Sequence, residues 1–117
     1  MKEVIKMKII LVALMFNGMD LLTGIVGAIR NGEQIKSNKL RDGLFKKVGF
    51  IFCYTLGIAI NYAETYLTLP FGVDLVPVIC TYAIITEVVS IIENISKINS
   101  DILPDKLKEL IGYKEGE

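Results

Sequence analysis

Three long runs of apolar residues limit what this chain can fold into. They cover residues 9–29, 48–69 and 75–95, and none carries more than two charged side chains. At about 1.5 Å rise per residue, a helix of some 21 residues is about 31 Å long, close to the thickness of a bilayer's hydrocarbon core. A hydrophobic content of 52% and a mean hydropathy of +0.51 favour the same interpretation. The sequence therefore predicts a single all-α membrane domain, residues 1–117, with three transmembrane helices.

A cleaved signal peptide is the competing interpretation of the first run. The run is too long for a typical signal-peptide core, contains Asp20, and is followed by Arg30 instead of a small-residue cleavage site. We therefore expect it to remain as the first span.

The composition argues against several classes of function. The chain has no histidine, which excludes histidine-based catalysis and histidine-ligated metal sites. Cys53 and Cys80 lie in separate apolar runs without CxxC spacing, so we expect both to be buried, reduced side chains. Thirteen basic residues balance thirteen acidic ones, and no Gly-rich phosphate loop or aromatic–basic pattern is present. We expect no enzyme activity, no cofactor, no metal and no nucleic-acid partner.

Small and polar residues recur in each run at spacings of three or four, which places them on one helix face. In the second run this face also includes Gly49, Cys53 and Gly57. The candidates for helix packing or for lining a membrane lesion are Asn17, Asp20, Gly24, Gly27, Asn61, Glu64, Glu87, Ser90 and Asn94.

Three of these candidates, Asp20, Glu64 and Glu87, are carboxylic acids inside predicted spans. An ionised carboxylate at the bilayer centre costs about 2.5–3.5 kcal/mol, and no Lys or Arg lies in the predicted spans to neutralise it. The acids are therefore expected to be protonated, to hydrogen-bond between helices, or to face water. Two roles stay open, namely helix–helix contact and the lining of a water-filled path.

The polar segments predict the topology. The connector Arg30–Lys47 contains six basic residues, and its second half has the spacing of an amphipathic helix. The turn Pro70–Asp74 contains none, whereas the tail, with a short amphipathic helix at 105–111, is again basic. The positive-inside rule then places the connector and the C-terminus in the cytoplasm and the N-terminus outside. The basic residues of the connector are Arg30, Lys36, Lys39, Arg41, Lys46 and Lys47.

Four segments, in this order, resemble the phage-lysis and toxin-secretion holin family. Residues 17–30, with the sequence DLLTG at 20–24, resemble its first-span signature, and KS at 36–37 followed by GLFKK at 43–47 resembles its basic loop. The sequence EVVSIIEN at 87–94 resembles its third-span signature, and residues 104–107 resemble the start of its tail.

The resemblance implies a multi-pass protein of the bacterial inner membrane that oligomerises in the lipid bilayer and forms lesions. An endolysin, or in some relatives a toxin, would pass through as cargo without direct contact. Paired starts at Met1 and Met7 would give a longer, inhibitory form and a shorter, active one. A small proton-coupled transporter and an accessory subunit of a larger membrane complex remain as alternatives.

Overall fold

The computed structural model describes residues 2–32 and 37–110. Three long helices, α1 (Lys2–Arg30), α2 (Ser37–Ala63) and α3 (Leu75–Asn99), are followed by a 3-10 turn, Ser100–Ile102, and the short α4 (Asp105–Leu110). The described residues form no β-strand. Three helices are long and apolar enough to cross a membrane, which confirms the predicted all-α, three-span fold.

The first and third helices run parallel to each other, and α2 runs antiparallel to both. Asn17 of α1 hydrogen-bonds Glu87 of α3, 70 residues later, and near the far end the Asn31 side chain donates to the Lys97 carbonyl. At the opposite end, Lys6 forms a 3.0 Å ion pair with Asp74. The beginnings of α1 and α3 therefore share one end of the bundle with the turn that follows α2, as three alternating spans require.

The start of α3 is fixed by Asp74. Its carboxylate accepts a hydrogen bond from the Val76 backbone N–H at 3.0 Å, as an N-cap residue does, and another from the Asn61 side chain at 3.2 Å. Although its partial burial alone would raise the pKa of Asp74, the hydrogen bonds from Lys6, Val76 and Asn61 hold that pKa below its ordinary value. The carboxylate is thus ionised, and it joins all three helices at this end.

The second helix is placed differently from the predicted second span. It begins at Ser37, not Val48, because the connector continues directly into the same helix. It ends at Ala63, not Leu69, because Asn61 already binds Asp74 and the chain must turn there to enter α3. Lys46 and Lys47 therefore belong to α2 and not to a separate cytoplasmic connector. Lys36 and the side chain of Lys39 lie outside the described part of the chain.

The three helices bury little apolar surface between them and expose much on the outside. Phe52, Leu22 and Tyr82 are each 65–70% exposed, which suits side chains that face lipid. Cys80 is buried as predicted, but the prediction for Cys53 was wrong, because its position on α2 faces outward. The buried apolar side chains that connect the helices are Ile10, Ala13, Tyr54, Val76, Cys80 and Ala83.

A charged cluster between the three spans

Polar side chains from all three long helices meet inside the bundle. Asp20 follows Lys6 by 14 residues on α1, so the meeting point is about 21 Å from the end at which Lys6 binds Asp74. We call these residues the polar cluster: Asn17, Asp20, Thr23, Lys46, Lys47, Tyr54, Glu87, Ser90 and Asn94.

Lys47 is at the centre of the polar cluster. Its Nζ lies 2.7 Å from Asp20 Oδ2 and 3.2 Å from Glu87 Oε2, so one ammonium bridges two carboxylates. Lys46 approaches the same glutamate from a more exposed position, with its Nζ 3.2 Å from Glu87 Oε1. The two lysines and the two acids have no net formal charge, so the cluster is neutral although it contains four ionisable groups.

Neutral groups complete the surroundings of Glu87, whose side chain is fully buried. Asn17 Nδ2 donates to Glu87 Oε2 at 3.0 Å, and the Tyr54 hydroxyl donates to Asn17 Oδ1 at 2.8 Å. This chain of contacts connects α2 to α1 and α1 to α3, because each of the three residues comes from a different helix.

Asp20 is held mainly from α3. Asn94 Nδ2 lies within hydrogen-bond distance of Asp20 Oδ1 at 3.0 Å, of the Asp20 carbonyl at 3.2 Å and of Thr23 Oγ1 at 3.1 Å. Ser90 hydrogen-bonds the same carboxylate. With Lys47 on the other side, Asp20 has partners on both α2 and α3.

One carboxylate oxygen of the polar cluster accepts no hydrogen bond. Among the described residues, Glu87 Oε1 is the one buried side-chain N or O atom without a hydrogen bond, although Lys46 lies 3.2 Å away as an ion-pair partner. Lys46 is also 42% exposed, compared with 10% for the Lys47 side chain. The cluster is therefore tightly closed around Lys47 and more open beside Lys46.

Breaking such a cluster costs more free energy than the intact cluster adds to stability. A buried ion pair is weak evidence for net stability, because desolvation offsets the attraction between its charges. Removing one partner, however, typically costs about 3–5 kcal/mol, because the remaining charge stays buried without compensation. The three helices can therefore separate only if their charged groups find water or equivalent partners.

Close helix contact surrounds the cluster at three glycines. A Cβ atom at Gly27 would lie 3.3 Å from the Asn94 carbonyl oxygen, and one at Gly24 would lie 3.5 Å from Asn94 Nδ2. In α2, a Cβ at Gly57 would lie only 2.9 Å from Val76 Cγ2. Gly49, by contrast, has no atom within 4 Å of such a Cβ, so the face predicted through Gly49 and Cys53 is not the packing face of α2.

The structure separates the predicted candidates into two groups. Those on α1 and α3 lie in the interface between these helices: Asn17, Asp20, Gly24, Gly27, Glu87, Ser90 and Asn94. Asn61 contacts Asp74 near the turn and not the polar cluster. Placing Glu64 in a span was wrong, because α2 ends at Ala63 and Glu64 is exposed.

The sequence interpretation missed Tyr54, and it placed Lys46 and Lys47 in the cytoplasmic connector and not beside the acids. It held that no basic residue could neutralise the acids, which was wrong because two lysines of α2 do so. A signal was present, since Lys47, Phe50, Tyr54, Gly57 and Asn61 are spaced three and four residues apart and so share one helix face. In residues 2–32 and 37–110, no group of three or more Cys, Asp or Glu side chains could hold a metal ion.

Comparison with known proteins identifies a family for this chain. The family model described as the bacteriophage holin family matches residues 4–115. No curated protein and no solved structure matches the chain.

Proposed function

The chain belongs to the bacteriophage holin family, and from this premise we propose that it acts as a holin that permeabilises the bacterial inner membrane. Its family is not an enzyme family, and its three apolar helices make it a multi-pass membrane protein. Copies of the chain would assemble in the bilayer and form lesions through which an endolysin or a toxin leaves the cytoplasm.

The neutral polar cluster is the observation that carries this proposal. In the closed bundle the charges of Asp20, Glu87, Lys46 and Lys47 neutralise one another, and the outer surface of the spans is apolar. Such a bundle can accumulate in the membrane without admitting water. When the helices separate, the same groups favour water, because an isolated charge in lipid is costly. The two roles considered for the acids then belong to two states, contact in the closed bundle and lining in the lesion.

Expression in bacteria tests the function directly. We expect the membrane potential to persist for a period after induction and then to collapse, whether or not a cytoplasmic peptidoglycan hydrolase is present. Lysis should follow only in cells that contain the hydrolase, because the lesion itself does not cut the cell wall. Steady growth with an intact potential at high expression would contradict the proposal. Proton-dependent efflux of a substrate from vesicles would instead support the transporter alternative.

The topology gives a second prediction, which rests on the eight basic residues of the connector and tail other than Lys46 and Lys47. Single cysteines at Ser37 and Ser100, in a chain lacking Cys53 and Cys80, should resist an impermeant thiol reagent before lysis. A cysteine at Thr68, in the turn at the other end of the bundle, should react promptly and serves as the control. Prompt labelling at Ser37 or Ser100 would overturn a cytoplasmic connector and tail.

We also propose that products started at Met1 and Met7 differ in activity. The longer one adds Lys2, Glu3 and Lys6 ahead of Met7. It also carries one more net positive charge, and an energised membrane opposes the outward passage of that charge by about 2.3 kcal/mol per 100 mV. Met7→Leu, at an exposed apolar position, should remove the shorter product and delay lysis. Unchanged timing, with the shorter product shown to be absent, would contradict this.

A further inference from the structure

The second helix is attached to the bundle differently from the other two. The α1–α3 interface is close along its length, with Gly24 and Gly27 set against Asn94 and with the Asn17–Glu87 hydrogen bond in its middle. The contacts of α2 include a polar set, made by Lys46, Lys47 and Tyr54 in the polar cluster and by Asn61 at the turn. Its apolar contacts with α3 are made by Phe50 beside Tyr82 and by Gly57 against Val76 and Ile79.

This difference restricts where α2 can go when the bundle opens. Withdrawn into lipid, it would leave Lys47 without a partner and expose the carboxylates of Asp20 and Glu87 on the α1–α3 pair. A second copy of the chain carries the same two carboxylates in the same groove. That groove matches the charges of α2, the Tyr54 hydroxyl and the small surface at Gly57, so it can accept α2 without losing a contact.

We propose that α2 is exchanged between copies in the assembled state, so that α2 of one copy occupies the α1–α3 groove of the next. The inference rests on the proposed assembly and names the surface by which it occurs. Exchange of an identical element is a low-cost route to oligomers, because each contact of the monomer forms again between copies.

The lengths of the connecting segments permit this exchange. Six residues separate Arg30 from Ser37, and eleven separate Ala63 from Leu75. Fully extended, they reach at most about 22 Å and about 40 Å, whereas neighbouring helices pack about 8–10 Å apart. A groove two helix spacings away, about 16–20 Å, is therefore within reach of both connections, while α1 and α3 of each copy stay together. Slow release of α2, followed by re-formation of the same contacts, would also produce the delay that we expect before depolarisation.

Disulfide formation between tagged copies tests the exchange, in a background with Cys53→Ser and Cys80→Ala. One copy carries Gly57→Cys with Val76→Ala, which removes the close contact within that copy, and the other carries Val76→Cys. A Cβ at Gly57 lies 3.6 Å from the Val76 Cα, which is near enough for a disulfide when the two helices are paired. We expect a disulfide-linked heterodimer in the membrane at the time of depolarisation and little before it.

Two further variants complete the experiment. A single chain with both Gly57→Cys and Val76→Cys, oxidised early, should stay monomeric and fail to depolarise the membrane until a reductant is added. Gly49→Cys in place of Gly57→Cys controls for random collisions and should give no heterodimer, because no atom lies within 4 Å of a Cβ at Gly49. Normal depolarisation by the internally oxidised chain, or depolarisation without a heterodimer, would overturn the exchange while leaving the holin function intact. If the unmodified chain never depolarises the membrane, the proposed function fails, whatever the disulfide pattern.

Discussion

Replacing Lys47 with leucine is expected to bring depolarisation forward severalfold and to destabilise the purified bundle by about 3–5 kcal/mol. The substitution leaves Asp20 without an ionic partner and Glu87 with only the more exposed Lys46. Since these two carboxylates lie inside the bundle, the closed form loses more than the opened form, in which water reaches them. Heat denaturation in detergent micelles and the time from induction to depolarisation measure the two effects.

A second substitution separates charge balance from packing. Lys47→Leu combined with Asp20→Asn removes one positive and one negative charge and keeps an oxygen for the hydrogen bond from Asn94. We expect this double variant to recover most of the lost stability and delay. Lys46→Met should have a smaller effect than Lys47→Leu, because Lys46 is 42% exposed and pairs with one oxygen only. Equal behaviour of all three variants would show that the charges of the cluster do not keep the bundle closed.

Gly57→Leu is expected to have the second largest effect, by forcing α2 away from α3. Even a Cβ atom at this position would lie 2.9 Å from Val76 Cγ2 and 3.5 Å from Ile79 Cδ1, so a whole leucine side chain cannot be accommodated without movement of the helices. Overpacking of this kind typically costs about 1–3 kcal/mol, and more where backbones must shift. A lower denaturation temperature and faster proteolysis in micelles would show it.

The matched control for this substitution lies two turns earlier on the same helix. Gly49→Leu introduces the same side chain, but nothing lies within 4 Å of its Cβ, so the leucine would face lipid. We expect a change of less than about 0.5 kcal/mol, as is usual for surface substitutions. If Gly49→Leu destabilised the protein as much as Gly57→Leu, the loss would reflect glycine in general and not the contact with Val76.

The number of spans could be predicted from the sequence because it depends only on the length of each apolar run. Each of the runs 9–29, 48–69 and 75–95 can be recognised without knowing the other two. The polar faces of α1 and α3 were visible for a similar reason, since spacing along one helix is a local property. The pairing of Asn17 with Glu87, or of Asp20 with Asn94, required in addition that α1 and α3 be parallel and in a fixed register.

The position of Lys47 could not be predicted in this way. A charged residue next to an apolar run ordinarily marks the end of a span, because lysine extends its ammonium toward water. Here Lys47 is 8% exposed, because two acids from other helices replace that water. The predicted end of α2, Leu69, differs from the observed end, Ala63, for a related reason. The contact of Asn61 with Asp74 decides where the chain turns, and no pattern within α2 reveals that contact.

The parallel direction of α1 and α3 makes the membrane voltage act on this fold. Each long helix carries roughly half a positive charge at its N-terminus and half a negative charge at its C-terminus. The antiparallel α2 cancels one of the two parallel helices, so one helix dipole remains across the bilayer, worth about 1 kcal/mol per 100 mV. With the N-termini of α1 and α3 outside, as proposed above, the positive end faces the positive side of an energised membrane. In this proposed orientation the field disfavours every inserted copy by about that amount, and a collapse of the potential at a first lesion would remove the cost in all the remaining copies at once.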